Sequence, residues 1–524
     1  MKRYILAASL FLLGIGGVQA QTVYDGVLFT QKDLTGTARF VGMGGALGAL
    51  GADISTIGTN PAGMGLYRSS DVNLTFGFTN TQVKSDYLGN KYTNDKNKFS
   101  VPNVGFVLSI DMGYSPLKYL NFGFNYSRSK SFANNMTMGG RLNLTGNGEV
   151  VSISHVMDQQ ANGMLDGGTD IADLINEDRP VYRYSDVGWM GALGMDGRFI
   201  QRDDNGYRSY LADPDAYFRS RSRGGVDQYD FNISGNVNDR FFWGLTIGAY
   251  DINYSRDTYY REEYGLGQYG FLDTQKDVEG SGFDFKFGAI LRPIESSPFR
   301  IGLAVHTPTF YRLKHYTNTL MESAISPTGQ TAPTKDDFIS VFPNGDLDNR
   351  DYLFEYKLRT PWKTSVSLGH NVGDFLAIGA EYEYQNYSSM KFEYHDGMNM
   401  GFYNDQTSML KKVHTVRLGL EYRIVPQFAI RTGYNFQSAI FKNDAFNDIP
   451  VNSKQTDIQY TNDNSSRNTF TFGLGYTGKV FYSDLGFQFN SYKSKFKPFD
   501  DTELKYTNLT TNQSQILFTL GMRL

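Results

Sequence analysis

The chain has 524 residues, a formal net charge of −4 and no cysteine. The absence of thiols excludes a disulfide framework, a lipid-modified cysteine and zinc–thiolate sites, and the charge balance does not favour nucleic acid as a partner. Aromatic residues make up 15% of the chain and glycine occupies 56 positions, with no shift in composition that would mark a linker.

The first twenty residues have the pattern of a secretory signal peptide. A basic pair precedes an apolar run from Ile5 to Ile15, and the small residue Ala20 follows it. The run is too short for a membrane-spanning helix, so we expect residues 1–20 to be removed before Gln21. No later run reaches the roughly 18 apolar residues that a spanning helix needs.

A glycine-rich stretch follows, from Gly42 to Tyr67. Its first ten residues include five glycines, which allow close backbone approach in a confined space. The Asn60-Pro61 pair is a turn signal, and Asp53 is predicted to cap a short helical turn. A segment of this kind, placed before the first strand, is where a plug belongs if the strands close into a pore. The alternative is an ordinary N-terminal loop.

Apolar and polar residues alternate through the rest of the chain. Val72, Leu74, Phe76 and Phe78, for example, are separated by polar or small residues. Because successive strand residues point to opposite faces, this pattern predicts strands with one apolar face. It occurs fourteen times, at 72–78, 106–110, 120–126, 229–233, 243–247, 283–287, 301–305, 362–368, 376–384, 416–422, 428–434, 470–476, 485–489 and 516–524.

The segments between these runs alternate in length. The short ones are near 111–118, 236–240, 292–298, 371–374, 424–427 and 477–479. The long ones are near 81–100, 131–225, 255–281, 314–352, 388–411, 442–467 and 493–512. Alternation of short turns and long loops is typical of an even-stranded membrane barrel with both termini in the periplasm. The last run, 516–524, fits a strand that closes such a barrel and is recognised by the outer-membrane assembly machinery.

The sequence therefore predicts an all-β chain: a 14-stranded antiparallel transmembrane β-barrel with an N-terminal hatch and long extracellular loops, in the outer membrane of a Gram-negative bacterium. We divide it into the signal peptide (1–20), the hatch inside the barrel (21–65) and the barrel (66–524), which includes a large extracellular loop at about 131–225. The alternative, a soluble all-β protein, does not account for the leader, the alternating gaps and the terminal strand together.

The stretch GADISTIGTNPAGMGLY, from Gly51 to Tyr67, resembles the N-terminal hatch of the FadL/TodX-type outer-membrane transporters, which carry long-chain fatty acids and other hydrophobic compounds. In that family an Asn-Pro-Ala-Gly element ends the plug and leads into the first of fourteen strands. The resemblance implies that the hatch or gate residues are Gly51, Asp53, Ser55, Thr56, Asn60, Pro61, Ala62, Gly63 and Met64.

Further stretches also look like this family, namely GLAVHTPTFYRL at 302–313, LRTPWK at 358–363, HTVRLGLEYRI at 414–424 and IRTGYN at 430–435. The family's lateral opening arises from a kink in its third strand. In the corresponding segment here, Tyr119–Phe132, Gly123 is the one obvious weak point. The large loop at about 131–225 has no counterpart in the family with which it can be aligned.

Within the large loop, apolar residues recur at helical spacing. This spacing predicts amphipathic helices at the mouth of the barrel, whose apolar faces form a groove where a ligand first lands and whose methionines adapt to its shape. The alternative is that these faces pack on the loop's own core. The candidate groove residues on these helices are Val156, Met157, Met164 and Leu165. Trp189 and Met190, which are flanked by glycines, are a second candidate wall of the groove, with the same alternative.

The function that we expect is passive uptake of a hydrophobic small molecule such as a long-chain fatty acid. A tightly bound ligand leaves only if a second conformation binds it less well, so we expect Asp53–Met64 to block the lumen and to shift as the ligand passes. Two alternatives stay open: a general porin for polar solutes, and a surface-interaction protein whose long loops bind a partner. We expect a monomer, with outer-membrane lipid and lipopolysaccharide as neighbours, and no cofactor.

Signals for enzymatic chemistry are poor. There is no GxSxG motif, and the six histidines are scattered. His306 and His414 fall in predicted strands, where a structural role is expected. His155, in a predicted loop helix, is the histidine to test, because a single exposed histidine serves as an axial haem ligand in some proteins. No paired metal-ligand spacing is present, so we expect no enzyme.

Overall fold

The computed structural model describes residues 22–142, 151–177, 179–211 and 214–524. The expected signal peptide and its cleavage point before Gln21 lie outside these residues. The α-helices are α1 (Val23–Thr30), α2 (Ala38–Gly42), α3 (Ile153–Asp166), α4 (Ile171–Asn176), α5 (Trp189–Asp196) and α6 (Gly401–Gln406). The 3₁₀ helices are Ile54–Gly58, Pro61–Leu66, Val181–Arg183, Gly265–Gly267, Lys335–Asp337, Pro343–Leu347, Tyr387–Ser389 and Thr407–Met409. None of the helices in these ranges is long and apolar enough to span a membrane.

Strands dominate the described chain. In the first half they are β1 (Asp71–Tyr87), β2 (Asn90–Asp111), β3 (Leu117–Ser131), β4 (Asn134–Arg141), β5 (Ile200–Asp203), β6 (Gly206–Ser209), β7 (Asp215–Val237), β8 (Phe241–Glu263) and β9 (Tyr269–Leu291). They continue as β10 (Arg300–His306), β11 (Phe310–Ala324), β12 (Phe338–Val341), β13 (Tyr352–Arg359), β14 (Lys363–Val372), β15 (Leu376–Asn386) and β16 (Lys391–Tyr394). The last are β17 (Lys412–Val425), β18 (Phe428–Gln437), β19 (Tyr460–Asn462), β20 (Arg467–Thr477), β21 (Phe481–Lys497) and β22 (Thr507–Arg523).

The described strands close into a fourteen-stranded antiparallel barrel, as predicted. Three of the crossings are made of two strands each, namely β10 with β11, β13 with β14, and β15 with β16. In addition, β4 extends β3, and β19 extends the crossing of β20. Closure occurs between the first and last strands, because β1 pairs with β22 from Asp71 opposite Arg523 to Asp86 opposite Asn508. Short turns lie at one end and long loops at the other, which is the arrangement of an outer-membrane barrel.

The two faces of the wall differ in the way that the alternating pattern predicts. Phe283, Phe285 and Phe287 on β9 are 40–49% exposed, whereas Asp284 and Lys286 between them are buried. Because successive strand residues point to opposite faces, the phenylalanines lie on the outer surface and the charged pair faces the lumen. An apolar outer band around a polar interior is the pattern of a barrel that spans a bilayer.

Several segments expected to be long loops are continuations of the strands. Residues 81–100 form the end of the β1–β2 hairpin, whose turn is Leu88-Gly89 with positive φ at both positions. Residues 255–281 likewise belong to the β8–β9 hairpin. Within 131–225, β4 pairs with β7. Outside the bilayer the outer face no longer has to be apolar, so the alternation stops while the backbone ladder continues. The apolar pattern therefore marks the part of each strand that lies in the membrane, and the strands extend beyond this part.

Candidate functional site

The N-terminal segment, residues 22–67, packs against the inner wall of the barrel. Its own fold depends on Asp53, whose carboxylate accepts hydrogen bonds from the Ser55 amide (3.0 Å) and the Thr37 hydroxyl (2.8 Å). The Thr37 amide in turn donates to the Ser55 hydroxyl at 2.8 Å. Asp53 thus caps the helix that begins at Ile54, as the sequence predicts, and it also joins that helix to α2.

Asn60 has a similar role for the second 3₁₀ helix. Its side-chain oxygen accepts a hydrogen bond from the Ala62 amide at 3.2 Å, and its Nδ2 donates to the Gly48 carbonyl at 2.8 Å. The side chain is 1% exposed. The remaining predicted hatch residues lie in the same unit: Gly51, Ser55, Thr56, Pro61, Ala62, Gly63 and Met64 are all buried. The structure thus brings the nine residues together, and their action as a gate stays a prediction.

A row of glycines on the inner wall receives the backbone of this segment. Gly369, Gly379, Gly419 and Gly433 lie directly opposite one another on β14, β15, β17 and β18. A Cβ at Gly379 would fall on the Ala46 carbonyl oxygen, and a Cβ at the other three would meet the backbone of residues 43, 44 and 50. Glycine is therefore required by close approach of two backbones. We call these four residues the glycine row.

A buried ion network also joins the segment to the wall. Arg39 of α2 contacts Glu421 of β17 at 3.0 Å, Glu421 contacts Arg431 of β18 at 2.7 Å, and Arg431 pairs with Asp484 of β21. The side chains of Glu421, Arg431 and Asp484 are 3–5% exposed. Sequence reasoning missed this network. The available signal was the presence of charged residues at inward positions of otherwise apolar-patterned strands.

Replacing Arg431 by leucine should destabilise the barrel by about 3–5 kcal/mol, because it leaves Asp484 buried without its counter-charge. Thermal unfolding of the purified protein in detergent measures this loss. Arg423→Leu is the matched control, since Arg423 is 48% exposed and reaches Glu421 at 3.5 Å. An exposed pair of this kind contributes about 1 kcal/mol or less. Equal losses in the two variants would contradict the buried network.

Two cavities lie between the N-terminal segment and the wall. The outer one, about 260 Å³, lies beside α1, and its apolar lining includes Val27, Leu28, Val83, Phe132 and Met136. The inner one, about 160 Å³, is lined mainly by polar side chains, among them Lys32, Gln228, Lys363, Glu383 and Asn435. The two cavities share Asp33, Arg467, Asn490 and Gln513. A molecule that enters from the loop side therefore meets a partly apolar chamber first.

The wall beside these cavities has a gap between β2 and β3, which we call the side slot. Pairing of β2 with β3 ends at Asn103 opposite Ser127, although β2 continues to Asn90 and β3 to Ser131. A cavity of about 40 Å³ lies there, lined by Lys98 and Arg128 of the two strands and by residues 33–35 of the N-terminal segment. It has the volume of about one water molecule. The slot is closed to larger molecules in this conformation.

Gly123, the weak point expected from the sequence, is not where the pairing stops. It lies in the paired part of β3, opposite Val107 and Asn232. The interruption comes later, where the register between β3 and β7 shifts between Arg128 and Lys130. A single sequence contains no pattern that marks a register shift between charged residues. The position of this interruption could therefore be found only from the strand pairing in the structure.

The predicted groove residues lie in the extracellular cap formed by α3, α4, α5 and the β5–β6 hairpin. Met157, Met164, Trp189 and Met190 are at most 2% exposed and belong to one apolar cluster, and Val156 and Leu165 are partly buried against it. The Trp189 indole donates to the Tyr182 carbonyl at 3.1 Å. In this conformation the six side chains pack within the cap, and a groove along them stays a prediction.

His155 lies in the first turn of α3 and is partly exposed. Its Nδ1 lies 3.3 Å from an Asp501 carboxylate oxygen, and this hydrogen bond raises the pKa of the imidazole above its ordinary value. Within the described residues, no group of three or more histidine, aspartate or glutamate side chains is arranged to hold a metal ion. The contact with Asp501 joins α3 to the segment that precedes β22.

Comparison with known proteins adds information about the fold. No family model matches the sequence, and no curated protein is detectably similar to it. The structure is similar to that of a Pseudomonas aeruginosa FadL homologue, with a TM-score of 0.52 and 14% identity over 94% of this chain and 99% of that chain. It is also similar to a deltaS2 mutant of the TodX monoaromatic hydrocarbon channel, with a TM-score of 0.50 and 12% identity over 94% and 100% of the two chains. The resemblance seen in the sequence is thus confirmed at the level of the fold, and the chain has the barrel architecture of the FadL and TodX transporters.

Proposed function

We propose that this protein is an outer-membrane channel for passive uptake of hydrophobic small molecules such as long-chain fatty acids. The observation that carries the proposal is the partly apolar outer cavity beside α1, which lies next to a gap in the barrel wall. The fold that the chain shares with a FadL homologue and with a protein named as a monoaromatic hydrocarbon channel supports the same function. An apolar chain gains about 0.8 kcal/mol for each methylene that it buries, so the outer cavity favours such a ligand over a polar solute.

The exit that we propose is the side slot. Beyond the outer cavity the lumen is lined by polar and charged groups, and the N-terminal segment fills it down to the glycine row. An apolar molecule avoids desolvating these groups if it leaves sideways into the bilayer. Residues 33–35 line the slot, and Thr37 links them to Asp53 and Ser55. A shift of the hatch around Asp53–Met64 would therefore move the slot lining.

Uptake measurements on whole cells test the function. Cells that express this chain should accumulate labelled fatty acids or aromatic hydrocarbons faster than cells with the empty vector. Asn60→Ala/Pro61→Ala removes both Asn60 hydrogen bonds, at a cost of about 1 kcal/mol each, so uptake should change while the barrel stays folded. If a folded barrel gives no uptake of any apolar compound, the transport proposal fails. Steady ion conductance through the wild-type protein would favour a general porin instead.

A further inference from the structure

Four basic side chains lie together on the outer surface of the barrel, at the loop-side edge of the apolar band. Phe310 on β11 is 40% exposed and Trp362, just before β14, is 57% exposed, so both face outward at the edge of the band. Arg312 follows Phe310 by two residues and therefore shares its face. We call Arg312, Lys357, Arg359 and Lys391 the basic patch.

The strand register places like charges directly opposite each other in this patch. Arg312 on β11 is the partner of Lys357 on β13, and Arg359 on β13 is the partner of Lys391 on β16. Side chains directly opposite in an antiparallel pair are about 4.5–5.5 Å apart at Cβ, and like charges at such positions are destabilising. Two such pairs on adjacent strands are an unfavourable arrangement unless an anion lies between them.

No protein carboxylate of the described residues supplies that anion. None of the four patch residues takes part in an ion pair within 4 Å in the described ranges. Glu355 is engaged by Lys314 at 3.6 Å and by His395 at 3.7 Å. Glu393 lies opposite Lys357 in the ladder, but beyond ion-pair distance. The patch therefore carries four positive charges, and neither Glu355 nor Glu393 forms an ion pair with them.

Another like-charge pair in the same barrel is neutralised by a counter-charge from the chain itself. Asp227 on β7 lies opposite Asp251 on β8. Arg128 forms a two-pronged contact with Asp227, at 2.9 and 2.7 Å. The protein thus provides a counter-charge for that pair. The basic patch has none of this kind, which points to a counter-ion from outside the chain.

We propose that the basic patch binds the phosphate groups of a lipid head group, from a bis-phosphorylated lipid in the leaflet that faces the long loops. Arginine and lysine are the usual donors to phosphate oxygens, and a membrane surface places phosphates at the edge of the apolar band. Phe310 and Trp362 lie beside the patch on the membrane side, where the acyl chains of the same lipid would pack. Free phosphate satisfies the charges, but it makes no use of these two aromatic side chains.

Binding of lipid to the full chain in detergent tests this proposal. Diphosphoryl lipid A should bind and raise the thermal unfolding temperature, whereas phosphatidylethanolamine and inorganic phosphate at equal phosphate concentration should not. Arg312→Gln/Arg359→Gln should weaken lipid A binding by roughly tenfold or more for each arginine removed. The control Lys335→Gln/Lys505→Gln removes the same charge from exposed loop positions and should bind as the wild type does.

A charge-reversal variant distinguishes specific binding of lipid A at the basic patch from a general effect of the protein's net charge. Arg312→Glu/Lys391→Glu creates two cross-strand pairs of opposite sign and leaves Lys357 opposite Glu393, so the lipid-free protein should become more stable while lipid A no longer stabilises it. The proposal is overturned if the patch variants bind lipid A as tightly as the control does. It is also overturned if inorganic phosphate reproduces the whole stabilisation, because the site would then take a free anion.

Discussion

A disulfide between the hatch and β2 is expected to reduce uptake to below about a tenth of the rate in the reduced protein, because a locked hatch cannot shift. In Ile54→Cys/Gly105→Cys the new sulfur at position 54 takes the place of the Ile54 Cγ1, which lies 2.9 Å from the Cβ position of residue 105. This separation is within reach of a disulfide. The chain has no other cysteine, so the engineered pair has no competing partner.

The engineered disulfide joins the hatch to the wall beside the side slot, where the proposed movement is required. Ile54 begins the helix that Asp53 caps, and Gly105 lies on β2, one of the two strands beside the side slot. Holding these two residues together fixes the hatch relative to the slot through the bonds of Asp53 to Thr37. Ligand binding from the loop side, measured on the purified protein, should be unchanged.

Reduction provides the internal control for this experiment. Uptake should return when dithiothreitol opens the disulfide, and Ile54→Cys alone should transport under oxidising conditions. Equal uptake by the fully oxidised and the reduced double variant would show that the hatch does not have to move. The side slot would then have to open by movement of β2 or β3.

The sequence was sufficient for the barrel. Lipid selects an apolar outer face, so the alternation at residues such as Phe283, Phe285 and Phe287 is strict within the bilayer and marks each crossing. The cap at Asp53 and the turn at Asn60-Pro61 were predictable because both depend on local chemistry between residues a few positions apart. Strand lengths were not predictable, since the constraint on the outer face ends at the membrane surface.

The long-range contacts of the site could not be predicted from one sequence. The link from Arg39 to Glu421 joins residues 382 positions apart, and nothing local indicates the pairing. The side slot depends on where β2 and β3 stop pairing, which is a property of the register. The cap helices were predicted from their spacing, but whether Met157 and Trp189 face a ligand or the cap's own core depends on packing that spacing does not specify.

Replacing Gly379 by valine should open a path for ions through the barrel, because the new side chain displaces the hatch from the glycine row. A Cβ at this position falls on the Ala46 carbonyl oxygen and lies 3.1 Å from the Leu50 Cδ1. Backbone cannot give way as a flexible side chain does, so hatch docking should be weakened by about 1–3 kcal/mol or more. The wall itself should still close, since valine favours strands.

Conductance in planar bilayers measures the opening, and protease sensitivity of residues 42–51 measures the release of the hatch. Ala380→Val is the matched control: Ala380 is the next residue on β15 and lies on the outer face with Ile378 and Tyr382, so it adds the same side chain towards lipid. Gly419→Val should repeat the effect, because its Cβ falls on the Met43 carbonyl oxygen. If Gly379→Val is folded but conducts no more than Ala380→Val, the hatch does not depend on the glycine row, and the ion network at Arg39 would have to hold it.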